Sequence, residues 1–153
     1  MIRWLKTLWP ILLIPVAGHG LDVGTIGFGP SVDGTTNPKE FALGYEKTWG
    51  EFGLFTHCGL LFESETNGYC AIVPGVHIQT LSGIFVRAGV GPAYVINTDA
   101  RISSHFNFNI DFMLGFYQGP AFFYGEAGHL SNAGLTPPNL GDDHLLIGIG
   151  WEL

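Results

Sequence analysis

Between Ser104 and Tyr117 the chain alternates with a period of two. Phe106, Phe108, Ile110, Phe112, Leu114 and Phe116 are apolar, whereas His105, Asn107, Asn109 and Asp111 are polar. A strand sends successive side chains to opposite faces; a helix would scatter these residues around its circumference. The same period recurs less strictly along the chain and predicts eight strands near 22–29, 40–48, 52–62, 69–79, 83–95, 104–117, 120–130 and 143–152. In 83–95, Ile84, Val86, Ala88 and Val90 oppose Phe85, Arg87, Gly89 and Gly91. In 143–152, Leu145, Ile147, Ile149 and Trp151 oppose His144, Leu146, Gly148, Gly150 and Glu152.

The connections between these segments alternate in length. Short turns are expected at Trp49-Gly50, Ser82-Gly83 and Gln118-Gly119-Pro120. Longer polar segments run from Gly29 to Lys39, Glu63 to Gly68, Asn97 to Ser103 and Asn132 to Asp142. Short turns on one rim and long loops on the other are the signature of an outer-membrane barrel. An even number of strands closes an up-and-down barrel without exposed edges, and lipid demands that closure because unpaired backbone groups there cost several kcal/mol each. The prediction is an all-β, eight-stranded, antiparallel up-and-down transmembrane barrel over residues 21–153. Glu46, Arg87, Asp111 and Glu126 fall on the faces assigned inward, where they can pair.

Residues 1–20 form a separate object. Arg3 and Lys6 precede the apolar run Leu8–Ala17, and small residues follow at Ala17, Gly18 and Gly20. This is the layout of a secretory signal peptide. The run is too short to span a bilayer, and Pro10 and Pro15 would break a helix. Export implies an oxidising compartment, in which Cys58 and Cys70 either close a hairpin as a disulfide or stay as two thiols.

Composition narrows the class further. Only 12% of the 153 residues are charged, against an ordinary share of roughly 25%. That is little charge for a surface facing water, and it favours the lipid-facing barrel over a soluble lipocalin-like one, in which the same pattern is turned inside out. A non-enzymatic OmpA-like barrel with structural or adhesive loops is the other alternative. With 6 Lys+Arg against 13 Asp+Glu, the chain lacks the footprint of a nucleic-acid binder.

Candidate chemistry concentrates in the last hairpin. His129 and Ser131 are two residues apart and share a face of the seventh strand. Asp143 begins the eighth strand with the parity of its apolar side, whereas Asp142 points inward. Ser131, His129 and Asp143 are therefore expected on the outer wall near the long-loop rim. A polar trio on a lipid-facing surface is unfavourable, and such departures from pattern are expected where function requires them. The chemistry suggests Ser131 as nucleophile, His129 as general base and then acid, and Asp143 as orienter of the imidazole. Asn132 or a backbone N–H near Ala133 and Gly134 would stabilise the oxyanion. His57, His77 and His105 are read as lumen or loop groups rather than ligands. No HExxH, CxxC, Walker or dinucleotide-binding pattern is present, so neither metal nor cofactor is expected.

The segment GHLSNAG (Gly128–Gly134), followed by a Pro/Asn loop and an acid fourteen residues after His129, resembles the lipid A 3-O-deacylase (PagL) family. The resemblance implies an eight-stranded outer-membrane barrel that hydrolyses the ester at the 3 position of lipid A and releases a 3-hydroxy fatty acid. By position it assigns the catalytic His to His129, the Ser to Ser131 and the oxyanion Asn to Asn132. The family acid is a Glu, where this chain has Asp143. Lipopolysaccharide would then be the substrate, embedded among outer-membrane lipids. Its phosphates would want cations, and Lys39 and Arg101 lie in long loops on that rim, where the alternative reading is two solvated loop charges.

Overall fold

The computed structural model describes residues 20–32, 39–62, 68–98 and 102–153. Eight strands form one closed barrel: β1 (Asp22–Val32), β2 (Lys39–Trp49), β3 (Phe52–Phe62), β4 (Tyr69–Gln79), β5 (Ile84–Val95), β6 (Phe106–Gln118), β7 (Ala121–Ser131) and β8 (Asp142–Glu152). Each pairs antiparallel with its sequence neighbours, and β8 returns to β1. A strand of 11 residues runs about 36 Å and, tilted by roughly 45°, spans about 25 Å, the height of the apolar band of an outer-membrane barrel.

The alternation predicted for β6 is realised. Asn107, Asn109, Asp111 and Met113 are buried in the lumen, while Phe106, Ile110, Phe112, Leu114 and Phe116 lie exposed on the outside. β8 follows suit, with His144 and Leu146 inside and Leu145, Ile147, Ile149 and Trp151 outside. A surface so apolar is stable only against hydrocarbon. Trp49 and Phe52 add aromatic groups at the short-turn rim, where a membrane interface favours them.

Three tight turns depend on a glycine with positive φ: Gly50 (66°), Gly83 (83°) and Gly119 (67°). They share a rim with the barrel's ends, because Leu153 N–H donates to Asp22 O at 2.9 Å. Two boundaries differ from the sequence expectation by more than one residue. β1 continues through Gly29 and Pro30 to Val32; proline removes a backbone donor, and the β1–β8 pairing is interrupted at those two residues, resuming at Ser31↔His144. β6 begins at Phe106 instead of Ser104, because Ser104 Oγ accepts the Phe106 N–H in a local turn that competes with the ladder. The proposed signal peptide falls almost wholly on residues 1–19, which lie outside the described residues, as does Arg101.

The lumen is filled, as expected for eight strands. Val23, Phe85, Met113, Phe122 and Tyr124 form an apolar plug toward the short turns. Val95, Ile102 and Leu130 belong to a second cluster that reaches the long-loop rim. Charged groups lie between them. Arg87 Nη2 is 3.3 Å from Glu126 and 3.6 Å from Asp111, its Nη1 is 3.8 Å from Glu46, and its guanidinium sits over the Phe55 ring. All four charged residues are buried, on the inward face expected from their parity.

Candidate active site

The β7–β8 register makes His129 and Asp143 direct cross-strand partners. Partners opposite one another share a face, here the outer one. His129 Nδ1 and Asp143 Oδ1 are 2.6 Å apart, with side chains 43% and 66% exposed. A hydrogen bond through Nδ1 keeps that nitrogen protonated and leaves Nε2 as a proton acceptor. Nothing in strand architecture calls for a polar pair here, since Ile110 flanks His129 on β6 and Leu145 follows Asp143 on β8.

Ser131 lies two residues beyond His129 with the same parity, half-buried and paired with Phe108 of β6. Its hydroxyl makes no hydrogen bond to His129 or to any other group among the described residues. Leu130 pairs with Asp142 at the end of the ladder, so Ser131 is level with Gly141, the residue just before β8. Gly141 has φ +72°, and a Cβ there would lie 2.6 Å from His129 Cε1 and 3.2 Å from Nε2. The absence of a side chain at 141 thus lets the free edge of the imidazole rise to the row of Ser131.

The loop after Ser131 is held from within. Asn132 is buried, and its Nδ2 donates to Thr136 O at 2.7 Å while its Oδ1 accepts the Gly134 N–H at 3.0 Å. The Asn132 N–H donates to Asn139 Oδ1 at 3.1 Å. Ser103, from the β5–β6 connection, donates its hydroxyl to Thr136 O and Pro138 O. Both sequence-selected oxyanion donors, the Asn132 amide and the Gly134 N–H, are therefore engaged in shaping the loop. Asp142 is buried on the opposite face and accepts from Ser31 Oγ, so it does not reach His129.

Below the trio the outer wall is notched. Gly125 and Ala127 on β7 are small, and the strands beside them carry Phe112, Leu114, Leu145 and Ile147. The result is an apolar groove of about 740 Å³ reaching Phe28 and Pro30, which shares Leu114 and Gly125 as lining with a second of about 410 Å³ over Phe116 and Phe123. Alternation alone does not reveal this groove, because it depends on small residues of one strand lying beside large ones of its neighbours.

The other sequence candidates lie elsewhere. Cys58 and Cys70 are bonded to each other across the β3–β4 pair, on the far side of the barrel from β7 and β8. Lys39 is exposed where β2 begins at the long-loop rim. His105 precedes β6, stacks on Tyr94 and contacts Val95 O through Nδ1 at 2.8 Å. His57 and His77 are buried in the lumen. The sequence reading missed the loop braces Ser103 and Asn139 and the shaping role of Gly141, which depend on contacts between separate connections.

A family model described as lipid A 3-O-deacylase (PagL) matches residues 25–152. No curated protein sequence matches the chain. Among solved structures, the crystal structure of the outer membrane enzyme PagL superposes with a TM-score of 0.70 at 17% identity, covering 86% of this chain and 99% of that one. The N-terminal barrel of Pseudomonas aeruginosa OprF gives 0.63 at 17% identity, over 88% of this chain and 100% of its own. A de novo designed transmembrane β-barrel gives 0.63 at 13% identity, over 89% and 98% respectively. At these identities the superpositions establish the barrel fold.

Proposed function

The chain belongs to the lipid A 3-O-deacylase (PagL) family of outer-membrane ester hydrolases, and we infer that Ser131, His129 and Asp143 carry out its reaction on the lipid-facing wall. Ser131 Oγ attacks the carbonyl of the 3-O-linked acyl chain while His129 Nε2 takes the hydroxyl proton. The tetrahedral intermediate collapses as His129 returns that proton to the sugar 3-oxygen, which leaves as an alcohol. Water, deprotonated by the same nitrogen, then releases the fatty acid from the acyl-serine. Asp143 holds the imidazole in the required tautomer and stabilises its cation.

Developing negative charge on the carbonyl oxygen would fall near the turn after Ser131. Asn132 and Gly134 supply donors there, and an oxyanion would compete for them with Asn139 Oδ1 and Asn132 Oδ1. The notch over Gly125 and Ala127 is suited to the acyl chain, with its ester at the level of Ser131. Long loops face the outside in such barrels, so the trio sits at the leaflet in which lipid A resides. Residues 1–20 serve in this reading as the export signal, removed before residues 21–153 insert.

The observation that carries the proposal is the exposed His129–Asp143 pair, placed where the barrel pattern calls for apolar side chains. Its test is release of the 3-hydroxy fatty acid from lipid A by purified protein, read by mass spectrometry. Ser131→Ala and His129→Ala should each abolish release while the heat-modifiable mobility of the folded barrel persists. Full activity in either variant would reject the assignment.

A further inference from the structure

On the opposite side of the wall, three strands bring together a second group of side chains that the ester chemistry does not use. His57 from β3, Glu126 from β7 and His144 from β8 are all buried, with ligand-capable atoms within 4.8 Å of one another. His57 Nδ1 lies 3.0 Å from Glu126 Oε1, and His144 Nε2 lies 3.6 Å from the same oxygen. Neither Glu126 Oε1 nor His144 Nε2 has a hydrogen-bond partner. The atoms are close without the alignment of hydrogen bonds. The two separations from Glu126 Oε1 bracket the roughly 3.3 Å that a tetrahedral ion at about 2.0–2.1 Å from each ligand imposes.

We propose that the barrel lumen binds one divalent transition-metal ion, Zn2+ by its ligand chemistry, through His57 Nδ1, His144 Nε2 and Glu126 Oε1. Two imidazoles and a carboxylate form a borderline N/O donor set suited to zinc. The surrounding groups complete the arrangement. Glu40 Oε1 is 3.4 Å from His57 Nε2 and accepts the Tyr69 hydroxyl at 2.9 Å, and that hydroxyl oxygen lies 3.2 Å from His57 Nε2 and 3.4 Å from His144 Nδ1, so Glu40 and Tyr69 together face the non-ligating nitrogens of both imidazoles. This is the outer-shell pattern that fixes a metal-bound histidine's tautomer. Arg87 holds the other oxygen of Glu126 at 3.3 Å.

Charge and space agree with this. Among the described residues, Glu40, Glu46, Asp111, Glu126 and Asp142 are buried against the single guanidinium of Arg87. With neutral imidazoles the interior is net negative, and a dication offsets part of that excess. Room for the imidazole exists because residue 128 is glycine; a Cβ there would overlap the His144 ring. The ion would tie β7 and β8 to β3 directly behind the strand segment that presents His129 and Asp143.

The test uses the full chain refolded into detergent micelles with and without Zn2+, chelator-stripped and dialysed before metal analysis. One Zn2+ per folded chain is expected, together with a raised unfolding midpoint and, after Co2+ replacement, the visible bands of a four- or five-coordinate ion. His144→Gln and Glu126→Gln should lose retained metal. Glu40→Gln should weaken binding by about 10–100-fold. His129→Ala should keep full stoichiometry. Absence of Zn2+ uptake by the wild-type barrel would overturn the proposal and leave a proton-sharing network, an outcome readable even if a lumen variant does not fold. Retention by a folded His144→Gln barrel together with loss in His129→Ala would equally overturn it, by moving the ion to the outer wall.

Discussion

Replacing Asp143 by Asn isolates the electrostatic part of the proposed triad. The side chain keeps its size, so the 2.6 Å contact to His129 Nδ1 can persist with the amide as donor. Two things change. The negative charge that stabilises the imidazolium disappears, and the imidazole is pulled toward the tautomer with its proton on Nε2, where it cannot accept from Ser131. A charge pair about 4 Å apart interacts by about 4 kcal/mol at an effective dielectric constant near 20. Asp143 is 66% exposed, and discounting for that leaves about 2–3 kcal/mol, or roughly 30- to 150-fold in rate. The wrong tautomer adds to this loss. Asp143→Glu keeps the charge and should retain activity within about tenfold, a difference under about 1.4 kcal/mol. Initial rates of fatty-acid release from lipid A in mixed micelles, on protein whose heat-modifiable shift is intact, provide the measurement. An Asn variant within about threefold of wild type would refute the role of the carboxylate.

Three further outcomes follow from the same geometry. Ala127→Phe fills the outer groove below the trio and removes contact for two or three methylenes; at about 0.8 kcal/mol each it should lower kcat/KM by about 10- to 50-fold, and unchanged kinetics would place the acyl chain elsewhere. Arg87→Leu leaves Glu126, Asp111 and Glu46 buried without their cation and should destabilise the barrel by about 3–5 kcal/mol, read as a lower urea midpoint of unfolding from micelles. Replacing Cys58 and Cys70 together by Ser opens a link across a sequence separation of 12 and should cost about 3 kcal/mol by the same unfolding assay. That pair lies across the barrel from β7 and β8, so specific activity of the folded variant should not change.

The period-two pattern is enough to assign the side chains of β5 to β8 to their walls. It put Arg87, Asp111, Glu46 and Glu126 inside and the β6 phenylalanines outside, and it set His129, Ser131 and Asp143 apart as polar residues on the apolar face. The turns at Gly50, Gly83 and Gly119 were equally legible, because positive φ is a local demand that glycine meets. Missed boundaries occurred where a local effect overrode alternation, as with Pro30 inside β1 and the Ser104 turn before β6.

Inward and outward placement is a property of one strand, set by covalent geometry, and a sequence carries it directly. Which residues then stand opposite one another depends on register, closure and stagger, which are shared among strands distant in the chain. The pairing of His129 with Asp143, the space that Gly141 leaves for the imidazole and the groove over Gly125 and Ala127 all arise from neighbouring strands meeting in one register. The convergence of His57, Glu40, Glu126 and His144 needs the whole barrel to close, since the β2–β3 pair and the β7–β8 pair meet only across the lumen. Parity gives the wall a strand residue occupies; the closed cylinder decides its company.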